Sequence, residues 1–228
     1  APIKEINAID KRPQDVSQYY VTVSTINQLE AALEYFDDVY YYYNDNLKEA
    51  LDIYHQYHKE PHLYLPRIMH DKDIQDVINN PLVKEFNTLI VNDFGSYRLL
   101  KDHPLIIGQG FNIFNHIAAS YFKEPVIASY ECSRKQIRQM KDYNHNLILP
   151  IYGKAENMIS EHCVISQSYF HKKVPHCNMC KKHQYALTDR KGVSFDIFTD
   201  SACRNHILHN EPIYVENHHS MEVSYFIM

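Results

Sequence analysis

The sequence has no apolar run approaching the roughly 18 consecutive residues that a membrane span requires. Its opening stretch, APIKEINAIDKRPQD, is polar and lacks the apolar centre of a secretion signal. No initiator Met opens the chain, so it is read as a domain excised from a longer protein, with residues 1–18 as an N-terminal tail or linker. Two protease signatures are missing: the H-E-x-x-H zinc helix and the G-x-S-x-G nucleophile elbow. There is no excess of positive charge. The net charge of −5 excludes a general affinity for nucleic acid, and any RNA contact needs a local patch, another domain or a partner subunit. Cysteine is scarce, five in 228 residues. An odd number without a secretion signal argues against a disulfide framework and for a reducing, cytoplasmic setting.

What is present is ordinary globular material, 45% hydrophobic and 22% charged, in a chain long enough for one substantial core. The 19 tyrosines are many, but VYYYYND reads first as a strand. Short β-branched or aromatic runs recur: YYVTVS, DVYYYY, HLYLPRI, NTLIVND, PLIIGQG, PVIASYE and NLILPIY. Helical patterns fall between them, among them TINQLEAALEYF, NDNLKEALDIYHQYH, DKDIQDVINN, FNHIAASYF and CSRKQIRQMKDY. Their apolar residues recur at the spacing of a helix covering one face of a sheet. Such alternation implies parallel strands with right-handed crossovers and helices outside. Seven units end near residue 152, and MEVSYFIM closes the chain as an eighth strand. The expected fold is α/β, a small (β/α)8 TIM-like barrel over residues 19–228. A cysteine-rich insertion at about 155–215 precedes its last strand and includes a hairpin, QYALTDRKGVSFDIF, turning at Asp189 to Gly192. An open doubly wound sheet is the competing architecture. In a barrel, functional groups belong at the C-terminal ends of the strands.

The insertion concentrates the chemistry. Cys163, Cys177, Cys180 and Cys203 form the pattern C-x13-C-x2-C-x22-C. A C-x-x-C pair offers two thiolates to one metal or one cluster corner, and four thiolates suit zinc or an iron–sulfur cluster equally. His162, His176 and His183 are reserve ligands for zinc. The structural alternative is thiols packed in a loop-rich segment. Cys163, following the seventh strand, is expected near the active face. Cys132 is expected just inside a helix, where the adjacent Glu131 carboxylate would raise its thiol and leave it a packing residue.

The stretches MISEHCVIS, PHCNMCKKHQYALTDRKGVSFDIF and CRNHILHN resemble the cysteine region of the collagenase-like peptidase family U32, which reads Met-x-Ser-x-x-Cys, Cys-x-x-Cys, Leu-x-Asp-Arg-x-Gly and a last cysteine followed by Asn. Upstream, IVNDFGSYRLL, IIGQGFNIFN and IASYECSRKQI are similar to that family's strand-end segments, so the likeness covers about residues 19 to 228. Some members are described as proteases. Others are oxygen-independent hydroxylation proteins that hold a [4Fe–4S] cluster on four cysteines and act on transfer RNA, ribosomal RNA or the ubiquinone ring. The resemblance therefore implies Cys163, Cys177, Cys180 and Cys203 as cluster ligands, with zinc as the alternative. It also implies prephenate as the oxygen donor in the RNA enzymes and a homo- or heterodimer with another U32-like chain. The ending LHNEPIYVENHHSMEVSYFIM departs from the glycine-rich, arginine-containing strand usual there, which puts the substrate in question.

The remaining candidates follow from strand ends. Glu131, expected at the end of the sixth strand, is a candidate general base or substrate ligand, with a helix-start carboxylate as its structural alternative. Asn92 and Asp93 end the fourth strand, and Asn112 and Asn115 follow the fifth. Asn92 and Asn112 are candidate catalytic groups and Asn115 a substrate contact, although asparagine also caps helices and turns. Arg67, expected to end the third strand, could hold a carboxylate or phosphate, with a solvated or structurally paired arginine as its structural alternative. Arg190 is a further substrate-binding candidate that, with Asp189, is expected to shape the hairpin turn. Three readings remain: an iron–sulfur hydroxylase, a peptidase, and a non-catalytic domain with a structural metal.

Overall fold

In the computed structural model, residues 18–144, 146–175 and 177–228 are described. The expected tail, apart from Gln18, and the candidate His176 lie outside them. The chain divides into two compact units, one of residues up to 151 together with 215–228, the other of residues 152–214.

The first unit is built from strand–helix pairs in sequence order. They are β1 (Tyr19–Val23), α1 (Ile26–Leu33), β2 (Asp38–Tyr42), α2 (Leu47–Gln56), β3 (His62–Tyr64), α3 (Asp71–Asn79), β4 (Thr88–Val91) and α4 (Phe94–Leu99). Then come β5 (Leu105–Ile107), α5 (His116–Tyr121), β6 (Val126–Ile127), α6 (Arg134–Lys141) and β7 (Leu147–Gly153). The second unit contributes β8 (Glu156–Ser160), α7 (Val164–Phe170), α8 (Met179–Lys182), β9 (Tyr185–Thr188), β10 (Ser194–Thr199), β11 (Asn205–Leu208) and β12 (Ile213–Tyr214). The chain then returns to the first unit for its last strand, β13 (Ser224–Ile227).

Strands β1 to β6 lie side by side in sequence order. β13 inserts between β1 and β7, and β6 pairs with β7. That ring is a closed eight-stranded parallel barrel with helices around it, and the open-sheet alternative falls. Strand alternation sorts the side chains onto two faces. Tyr40, Ile90, Ile106, Ile127, Ile148 and Phe226 pack together as one buried cluster, the barrel interior. Their neighbours in sequence, such as Val39, Leu89, Val91, Leu105 and Leu147, pack with helix residues such as Leu29, Leu33, Leu51 and Tyr54. A strand apolar on both faces is the expected signature of a parallel sheet covered by helices.

Helix starts are written in the sequence. Thr25 and Ser133 close capping boxes with Gln28 and Gln136, and Asp93 and Asn115 cap α4 and α5 by accepting from Ser96 N and Ala118 N. Tyr54 of α2 is wholly buried, and its hydroxyl donates to Val39 O at 2.5 Å and lies 3.2 Å from His62 O, which ties the helix to β2 and β3.

The second unit is an antiparallel sheet in the order β8–β11–β10–β9, larger than the expected two-stranded hairpin. The hairpin itself is where the sequence placed it. Asp189 Oδ1 accepts from Lys191 N and Val193 N at 2.7 and 3.0 Å, and Gly192 adopts a φ of +82° that other residues avoid. No described helix is long and apolar enough to cross a membrane.

Candidate functional site

The thiols of the second unit come from three separate pieces of chain. Cys163 is the N-cap of α7, buried, with its sulfur accepting from Ser166 N at 3.4 Å. Cys177 and Cys180 flank the first residue of α8, entered through Asn178 in the left-handed conformation. Cys203 sits in the turn between β10 and β11 at a φ of +60°. β8 separates Cys163 from the seventh strand, so its place is set by the second sheet and not, as expected, by a barrel strand end.

All four are free thiols. Burial raises the Cys180 thiol above its ordinary value, and the negative charge of Cys203, Cys163 and Cys177 raises it further. A bound cation would relieve that repulsion at Cys180. Nearby, a hydrogen bond with Tyr169 and then burial push the Tyr185 phenol up to about 12, with Cys180 and Cys177 adding to the shift. Among the described residues, no three His, Cys, Asp or Glu side chains are already gathered closely enough to hold a metal ion. The donor set, four free thiols in one compact unit, fits in its chemistry a thiolate-bound metal or cluster. His162 and His183 are exposed side chains of the same unit.

Behind the thiols lies a polar scaffold that sequence reading missed. Asn205 is fully buried. Its Oδ1 accepts from Val164 N at 2.8 Å, and its Nδ2 lies 3.0 Å from Thr199 Oγ1 and 3.8 Å from Cys163 Sγ. Asp200 and Arg204 close the turn that carries Cys203: Arg204 N and Nε donate to the Asp200 carboxylate at 2.8 and 3.0 Å, and Cys203 N donates to Asp200 O at 3.0 Å. His206, 1% exposed, lies against the carboxylates of Glu156 and Asp200. Burial opposes its charge, but hydrogen bonds to Asp200 and Glu156 push the imidazole up to about 9. Burial also opposes the Asp200 charge, yet the hydrogen bond from His206 and the Arg204 contacts hold that carboxyl below its ordinary value. The signal available was CRNHILHN, a short strand whose polar residues had no solvent-facing reason.

In the barrel, the candidates divide. Asn92 is buried, donates to Leu65 O at 2.8 Å and accepts from Gly110 N at 3.1 Å. Its amide joins the loops after β3 and β5, bonded at both oxygen and nitrogen, which gives it a positioning role there. A Cβ on Gly108 or Gly110 would collide with Asn92, which explains the glycines of IIGQG. Asn115 caps α5, which occupies its side-chain oxygen. Asn112 is exposed in a left-handed turn after β5. Arg67 is half-buried, three residues beyond β3 and in the following loop rather than ending the strand. Glu131 is exposed in a turn past β6, two residues before the Ser133 cap of α6, with its N–H 3.4 Å from Ser129 Oγ. Cys132 shares that turn and lies outside the helix expected to contain it. Burial pushes its thiol up to about 11, and Glu131 adds to the shift, so it is no thiolate nucleophile at neutral pH. Arg190 is exposed in the hairpin of the second unit.

The sequence profile of peptidase family U32 matches residues 40–226, most of the chain. The chain belongs to peptidase family U32. The structure of the U32 peptidase Mk0906 superposes with a TM-score of 0.58 at 7% identity, over 97% of this U32 chain and 96% of that one. At that identity the likeness concerns the fold. The crystal structure of the Bacillus cereus spore cortex-lytic enzyme SleL gives a TM-score of 0.42 at 10% identity, over 93% of this chain and 70% of that one. No curated protein sequence matches.

Proposed function

We propose that this U32 chain is a [4Fe–4S]-dependent modification enzyme that hydroxylates an RNA base or a quinone-like ring without molecular oxygen. The observation that carries this reading is the placement of four free thiols, Cys163, Cys177, Cys180 and Cys203, within one compact unit of residues 152–214. The cluster, when bound, supplies one-electron redox chemistry. The remaining roles belong to the protein. Four cysteines contributed by a helix cap, a C-x-x-C turn and a strand turn would hold the cluster. Arg67, permanently charged, would hold the carboxylate of a donor of the prephenate class or a substrate phosphate. Glu131, exposed beyond β6, would take or return a proton, and Asn112 would orient the reacting ring through its amide. Asn115 and Arg190, a helix cap and a hairpin residue, would contribute at most peripheral substrate contacts. An RNA substrate would be recruited with another domain or a U32-like partner, since this chain is acidic overall.

The test is anaerobic reconstitution of the wild-type chain and of Cys177→Ala, followed by dithionite reduction and EPR spectroscopy. A reduced-cluster signal in the wild type and none in the variant supports the reading. Cleavage of gelatin or casein that survives Cys177→Ala, with no cluster signal in either protein, would instead establish a peptidase.

A further inference from the structure

Asn205 is a fully buried side chain that joins two of the thiol-bearing segments. It begins β11, two residues after Cys203, yet its amide points to the start of α7, which Cys163 caps. Its Oδ1 accepts from Val164 N at 2.8 Å, and its Nδ2 lies 3.8 Å from Cys163 Sγ and 3.0 Å from Thr199 Oγ1. Every polar group of this amide is therefore engaged, and a buried amide with all its partners is fixed in orientation. The Cys203 turn next to it is independently closed by Asp200 and Arg204.

We propose that Asn205 is a positioning residue that locks the Cys163 thiol to the Cys203 turn and directs one amide N–H at the Cys163 sulfur in the metal-bound state. The proposal rests on the four-thiolate reading above. An N–H donor to a coordinating sulfur stabilises its negative charge and orients its lone pairs, as outer-shell partners of metal ligands do elsewhere. A hydrophobic or anionic side chain there would leave the thiolate without this donor.

The substitution that separates the two halves of the role is Asn205→Asp. It keeps an oxygen for Val164 N but removes both amide donors and faces the sulfur with a carboxylate. Thr199→Val removes only the hydroxyl partner and serves as the structural control. Cobalt(II) is titrated into each full-length, reduced protein, and the sulfur-to-cobalt charge-transfer band reports both affinity and ligand field without iron or activity. The expected result is a band in the wild type and in Thr199→Val. In Asn205→Asp the band shifts and affinity falls at least tenfold, within the range known for outer-shell partners. Asn205→Asp binding cobalt with wild-type affinity and an unshifted band would overturn the proposal and leave the four-thiolate reading standing. A wild-type chain that shows no thiolate–cobalt band would overturn both.

Discussion

At the scale of single residues, the chain separates groups that look alike in sequence. Asn92, Asn112 and Asn115 all follow barrel strands, but only Asn92 is buried with both ends of its amide bonded. Replacing it with Leu leaves Leu65 O and Gly110 N without their partner. Chemical denaturation should show a loss of about 1–3 kcal/mol, the cost of stranded buried polar groups. Unchanged stability would contradict the positioning role. His62 makes a second residue-scale prediction. Buried at the start of β3, it stacks on Tyr40 at 4.8 Å and lies 3.9 Å from Asp38, too far for a strong ion pair. Burial lowers its imidazole from 6.5 to about 4. In that window the unfolded chain binds a proton that the folded chain refuses. The His62 penalty is therefore absent above about pH 6.5 and grows toward pH 4 to on the order of 3 kcal/mol. Burial also raises the Asp38 carboxyl, an opposite contribution at the acid end. His62→Phe keeps the ring stack and should flatten the slope between pH 6.5 and 4. A slope equal to the wild type would show that another group carries it.

At the scale of elements, legibility followed burial pattern. The barrel strands could be read because each is apolar on both faces and bounded by turn or cap residues, as NTLIVND shows by ending in the Asp93 cap. Strands β8 and β11 could not. ENMIS is largely exposed and carries no alternation, and NHIL buries Asn205 and His206, which a hydrophobicity pattern counts as surface. The missed strands brought the missed scaffold with them. The four cysteines were legible because their chemistry needs no pattern around it; the residues that hold them become visible only once the β8–β11–β10–β9 sheet is formed. Element docking is also testable. Tyr54→Phe removes the hydroxyl that ties α2 to the β2 and β3 carbonyls, and it should lower stability by about 1–3 kcal/mol in thermal or urea unfolding. A neutral result would mean that ring packing alone docks the helix.

At the scale of the whole molecule, a U32 barrel carries within its sequence a second compact unit of residues 152–214, and the proposed roles fall on both. The barrel supplies Arg67, Asn112 and Glu131 beyond its strand ends, and the second unit supplies every cysteine except Cys132. Burial pushes the one barrel thiol, Cys132, well above its ordinary value, and the other four cysteines lie within residues 152–214, where the proposal makes them ligands. The claim that these four thiols hold one iron–sulfur group is tested most directly by the iron and acid-labile sulfide content of the chain, purified without oxygen. The account predicts about four of each per chain. Stoichiometric zinc with no iron would contradict it.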